Sequence, residues 1–297
     1  MTFQTFALLL VTGLGLSGVY FLIASGLSLI FGLMDVLNLA HGLFFTAGSY
    51  ATWWVMSSLE VVGPLGLRFA IAVVAGGGLG LAMGYVVERV FVRRFYGDHV
   101  TQILITLGLS LAGVALVGGW FTYDPRTFPL PEAFGNVVMV AGARIPVTRL
   151  LTLGVSLVLL VALLAFLRRT RHGLVIRAGV ENRSMVQAMG IDVQKSFTLV
   201  FAIGGMLAAI GGVLGAVFFA GVTPEFGLNI LIFAFIVVVI GGLGSVEGTA
   251  LASVLVGLTQ QFVNYLAGAG IGDLTVVALL AGTLLIRPQG LLGEAVR

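Results

Sequence analysis

Nine stretches of this chain are apolar almost without interruption. They lie near Phe6–Ile30, Val36–Ser58, Phe69–Val87, Val100–Phe121, Leu150–Leu167, Ser196–Ala220, Phe226–Ile240, Thr249–Leu266 and Leu274–Ile286. Charges and prolines collect between them. Several run for about 20 residues, the length of a helix that crosses a bilayer. A closed barrel would alternate apolar and polar positions instead, and only helices satisfy every backbone group within such a stretch. The pattern predicts an all-α, polytopic transmembrane bundle of about eight to nine spans. The last span is short, and a Gly-rich, kinked region joins the first two.

Composition strengthens this reading. Apolar residues make up 59% of the 297 and charged residues 9%, against about 25% charged in a soluble domain. So few charges cannot cover a water-facing surface, and the solvent must be lipid. There is no cysteine, which excludes disulfides, a thiol nucleophile and a Cys-based zinc site. The start, MTFQTFALLLVTGLGL, lacks a basic leader region and runs on as a long apolar segment, so no cleavable signal is expected.

Orientation follows from the basic residues. Alternating the nine spans gathers Arg89, Arg93, Arg94, the Arg168–Lys195 stretch, Arg287 and Arg297 on one side, 11 of the 15 Lys and Arg. Arg68, Arg126, Arg144 and Arg149 fall on the other. The richer side is expected to be cytoplasmic, with the N-terminus outside and the C-terminus inside. The long loop between Tyr123 and Leu150 carries Pro125, Pro129, Pro131 and Pro146 and should be ordered, non-helical structure outside.

Most chemical motifs fail in context. GLGLSG at Gly13–Gly18 fits a dinucleotide fingerprint, but it lies inside an apolar helical span with no βαβ unit. A P-loop needs Gly-Lys, and the only lysine, Lys195, follows Gln194. The chain has no such route to ATP. His41, His99 and His172 lie on separate segments and suggest no metal site. Gly76, Gly80 and Gly84, like Gly204, Ala208, Gly212 and Ala216, repeat every fourth residue, as expected of close helix packing in lipid.

Polar residues inside spans say more. FGLMDVLNLAHG places Asp35, Asn38 and His41 three apart, on one face if the segment is helical. They could form a capped turn at the interface or line a substrate path. IGGLGSVEGTALAS, with Ser245 and Glu247, is a second Gly-rich interruption. Paired broken segments in two halves of a transporter point to its path.

The largest anomaly is the charge between Arg168 and Lys195, eight of the chain's 27 charged residues. Within it, Asn182 is a natural N-cap and Gly190 a natural C-cap for a two-turn helix. Met185, Ala188 and Met189 would share one face. Such a helix is marginal alone in water. It suits docking into a groove of another protein, or lying on anionic lipid.

The segment AGVENRSMVQAMGIDVQKSFTLVFAIGGMLAAIGGVL resembles the cytoplasmic loop of ABC importer permeases, and more specifically of the LivH-type branched-chain amino acid permease family. Glu181, Ala188, Gly190, Ile191, Asp192 and Val193 match that loop. The resemblance extends through YFLIASGLSLIFGLMDVLNLAHGLFFTAGSYA, FTYDPRTFP, FLRRTRHGLVIRA, VVVIGGLGSVEGTALAS and LIRPQGLLG. Leu39 and Tyr123 depart from the family's usual Phe and Gly. The resemblance implies one permease unit over residues 1–297, with 168–195 as its cytoplasmic coupling loop. Glu181, Asn182, Met185, Ala188, Met189, Gly190, Ile191 and Asp192 would then face the ATPase. It also implies a second homologous permease, two separate ABC ATPase subunits that bind ATP, and an extracytoplasmic substrate-binding protein. The chain itself would hold no cofactor and do no chemistry, in a bacterial inner membrane.

The family also carries urea and short-chain amides, so the substrate could be one of these. A gradient-driven secondary transporter is the alternative of another class. Such proteins usually hold acidic residues at mid-membrane, whereas Asp35, Glu88, Glu247 and Asp273 sit near span ends.

Overall fold

The computed structural model describes residues 1–58, 63–140 and 142–293, so Arg297 lies outside it. The chain is helical almost throughout. Its apolar helices are α1 (Phe3–Met34), α2 (His41–Ser58), α3 (Leu65–Val86) and α4 (His99–Phe121). After the long loop, where α5 (Glu132–Gly135) precedes a hairpin, comes α6 (Val147–Arg169). Two short helices follow, α7 (Arg171–Glu181) and α8 (Arg183–Ala188). The chain ends with α9 (Val193–Phe219), α10 (Phe226–Gly241), α11 (Val246–Ala267) and α12 (Ile271–Ile286).

Six of these helices (α1, α3 with its continuation to Phe95, α4, α6, α9 and α11) are long and apolar enough to cross a membrane. Helices α10 and α12 are shorter, at 16 residues each. The long loop contains more regular structure than its prolines suggest. Strands β1 (Val137–Val140) and β2 (Ala143–Pro146) pair antiparallel, with Val138 opposite Ile145.

The core is α1 and α9, which cross where Gly26 meets Gly204 and a Cβ on either would strike the other's backbone. The glycine repeats earn their spacing here. Gly80 abuts the Gly205 carbonyl and Ala209, and Gly84 abuts the Phe201 carbonyl, which seats α3 on α9. Gly257 of α11 abuts Ser17 and the Gly13 carbonyl of α1 in the same manner. The fingerprint-like glycines are packing residues: Gly13 meets Leu258, Gly15 meets Phe218, and Gly18 meets Ser156.

The segments α1–α3 and α9–α11 follow the same order of elements and run in opposite directions, since Gly15 meets Phe218 and Gly26 meets Gly204. Helix α1 ends at Asp35 and α9 at Ala220, both left-handed, with φ of 54° and 56°. Each is followed by a non-helical segment and a new helix. Gly42 and Gly227, each seven residues past its left-handed cap, meet in the middle. Helix α3 of the first unit packs on α9, and α11 of the second packs on α1. The true partner of the Asp35–Gly42 break is therefore Ala220–Gly227, and not the Gly-rich turn before Val246. That turn joins α10 to α11 and lies against Gly32.

Candidate functional site

One end of the bundle carries the arginine cluster. Thr170 breaks α6 from α7 and caps the latter, its hydroxyl accepting from the Gly173 amide at 2.9 Å. Helix α7 is amphipathic. It turns Gly173, Ile176 and Gly179 inward, with Gly179 against Leu33 of α1. Asn182 then caps α8, its Oδ1 accepting from the Met185 amide at 3.0 Å and from the Ser184 hydroxyl at 2.8 Å. Gly190 closes the helix at φ 78°. Asp192 opens α9 by accepting from the Lys195 amide at 3.3 Å. That bond and the Lys195 ammonium hold its carboxyl below the usual carboxylate range.

The helix expected at Asn182–Met189 is therefore present, but its anchor is a residue the sequence reading did not single out. Val186 is only 4% exposed and joins the main core. Met185 and Met189 are 62% and 69% exposed, and Glu181 and Ala188 are exposed beside them. A two-turn helix is thus fixed by two caps and one buried valine, and it presents two flexible apolar side chains to its surroundings.

The second feature is the break between α1 and α2. Residues 35–40 are not helical, so Asp35, Asn38 and His41 do not share a helix face. Asp35 is exposed at the basic end, 3.6 Å from His99. From there the chain climbs back along α4, where the Leu39 amide donates to Thr106 Oγ1 at 3.2 Å. Asn38 and His41 are fully buried. His41 Nε2 donates to the carbonyl of Ile23 at 3.0 Å, 11 residues before the end of α1. That is about 16 Å along the axis, so α2 begins deep within the bundle. Irregular backbone at such depth is tolerated only inside protein or along a cavity.

This segment is partly satisfied. Asn38 Oδ1 accepts from the Ala40 amide at 3.1 Å. Asn38 Nδ2, a donor, and His41 Nδ1, left as an acceptor, have no partner among the described residues. The same holds for Gln102 Oε1 and Ser110 Oγ of α4, which with Thr106 form a buried polar stripe at four-residue spacing. An unmet buried polar atom costs about 1–3 kcal/mol. The stripe was readable from its spacing. The gap between Ala220 and Phe226 was legible too, but its likeness to the Asp35–Gly42 break was not, because Thr223, Pro224 and Glu225 look like any turn.

Ser245 and Glu247 are placed apart from Asn38 and His41. Ser245 caps α11 through the Gly248 amide at 3.0 Å, and Glu247 pairs with Arg168 at the end of α6. At the opposite end, basic residues close helices. Arg126 donates twice to the Phe121 carbonyl that ends α4, at 2.8 and 3.1 Å. Arg149 donates to the Phe218 carbonyl of α9 at 2.6 Å and lies over the Phe218 ring. Cations suit helix C-termini, which explains arginines at an end otherwise poor in them.

Comparison with known proteins agrees with this architecture. The chain is 30% identical to the high-affinity branched-chain amino acid transport system permease protein BraD of Pseudomonas aeruginosa, over 96% of this chain and 95% of that one. It is 28% identical to the permease protein LivH of Escherichia coli, over 95% and 94%. A probable LivH of Methanocaldococcus jannaschii is 26% identical over 93% and 89%. The solved structure of PsaBC from Streptococcus pneumoniae in complex with Fab shares the fold, with a TM-score of 0.50 at 15% identity over 97% of this chain and 94% of that one. The family model described as branched-chain amino acid transport system / permease component matches residues 9–287. The chain belongs to that permease family.

Proposed function

We propose that this chain is the membrane-spanning subunit of an ABC importer that carries branched-chain amino acids across the bacterial inner membrane. The observation that carries the reading is α8, a short helix held by two caps and Val186, with Met185 and Met189 exposed. Helix α8 docks into one of two separate ATPase subunits, and Glu181, Asn182, Ala188, Gly190, Ile191 and Asp192 shape that contact. Closure of the ATPases moves α8 and, through Asp192, the start of α9. The route opens alternately to either side. Asn38 and His41 lie along it, and Asp35, Ser245 and Glu247 stand at its cytoplasmic mouth. A second, homologous permease completes the membrane unit, and an extracytoplasmic binding protein delivers the substrate. The N-terminus is outside and the C-terminus cytoplasmic.

Co-expression with the neighbouring transporter subunits tests this reading. The purified assembly should contain two ATPase chains, and its ATP hydrolysis should rise when binding protein loaded with leucine, isoleucine or valine is added. Uptake driven by an ion gradient with no ATPase present would contradict it.

A further inference from the structure

Glu88 is a charged residue that no step above uses, and its surroundings are unusual. It lies in a π-helical segment, Val87–Val92, between α3 and a 3-10 turn, Arg93–Phe95. Its side chain is fully buried. One carboxylate oxygen accepts from Tyr96 Oη at 2.5 Å and from Arg93 Nε at 3.1 Å. The other has no partner among the described residues. A π-helical turn inside an α-helix is rare and often marks a functional place. A buried carboxylate is stable only while its cation stays with it.

The cation is shared. Arg93 Nη2 also donates to Thr198 Oγ1 at 2.8 Å, on the second turn of α9, and the Tyr96 ring stands edge-on to Phe197. Thr198 lies six residues beyond Asp192, the cap that follows α8. The backbone therefore leads from α8 through the Asp192 cap to Thr198, and side-chain bonds lead on to Arg93 and Glu88. Beyond Glu88, Gly84 and Gly80 of α3 abut the α9 backbone at Phe201 and Gly205.

We infer that the Glu88–Arg93–Tyr96 cluster is the joint through which displacement of the α8–α9 corner is passed to α3 and α4. Glu88 and Arg93 are positioning residues. They hold the π-helical turn against α9 so that both ends of the unit move together. The inference rests on the proposed ATPase docking at α8.

Thr198→Val tests it, because this change removes the acceptor of Arg93 while keeping the shape of the side chain. The measurement is substrate carried per ATP hydrolysed by the full assembly in liposomes, together with ATPase stoichiometry. Hydrogen bonds to charged groups contribute enough to shift such an equilibrium about tenfold. The expected result is a several-fold to tenfold fall in substrate per ATP, with the ATPases still bound at wild-type stoichiometry. Glu88→Gln should lower the ratio likewise, and the double variant should be no worse than the poorer single one. A wild-type ratio in Thr198→Val overturns the joint, as does loss of the ATPases, which would make this surface part of the docking contact. Additive effects in the double variant also overturn it. The wild-type assembly separates the two readings: if it retains no ATPase, the proposed function fails before the joint is at issue.

Discussion

Gly42 and Gly227 touch backbone to backbone, and neither has room for a methyl group. The Gly227 amide also donates to Thr46 Oγ1 at 3.0 Å, so the first turn of α10 is capped by a side chain of α2. Two helices that begin inside the bundle thus meet at their N-terminal ends, one from each of the oppositely directed units.

Gly227→Ala should therefore destabilise the protein by about 1–3 kcal/mol, the usual cost of overpacking, since the new methyl meets the Gly42 carbonyl. Gly108→Ala is the control, with open space around its position and helix propensity in its favour. Thermal unfolding in detergent should separate the two clearly. Equal midpoints would mean that the contact is not maintained in the folded protein.

The limits of the sequence are visible at the same place. The apolar runs predicted the helices because lipid forces the periodicity and length of each one. Asn182 and Gly190 predicted α8 because caps are local chemistry. The spacing of Asp35, Asn38 and His41 allows either a helix face or a capped turn; what unwinds the segment is the left-handed turn at Asp35 and the bonds from Thr106, 67 residues from Leu39. Long-range partners also hid Glu88. Its position near a span end is apparent in sequence, but its burial beside an arginine that also bonds Thr198 is not.

Replacing Asn38 and His41 together by Leu should reduce uptake strongly while leaving assembly intact. Both residues are fully buried, and each has a polar atom with no partner among the described residues. Removing those atoms relieves desolvation, so the fold should not suffer beyond the bonds to Ala40 and Ile23. Uptake and subunit stoichiometry are the two measurements. Normal uptake would reduce these residues to a packing and capping role.

Orientation is tested by single cysteines at Ser184 and Thr127, in a chain that has none of its own. An impermeant thiol reagent should label position 127 from outside intact cells and leave position 184 unlabelled until the membrane is opened. The reverse pattern would invert the bundle and remove α8 from the ATPases.

The most direct test of the central claim is the double replacement of Met185 and Met189 by Asp. Both side chains are more than 60% exposed, so the fold loses little, and Val186 still anchors the helix. If they sit in an ATPase groove, each new carboxylate becomes buried without a partner, at a cost of about 2–5 kcal/mol, or roughly 30-fold or more in affinity. The measurement is ATPase stoichiometry in the purified assembly, read beside substrate-stimulated ATP hydrolysis. The account predicts a membrane-inserted permease that keeps its partner permease, loses its ATPases and shows no stimulated hydrolysis. Retention of the ATPases at wild-type stoichiometry would contradict it.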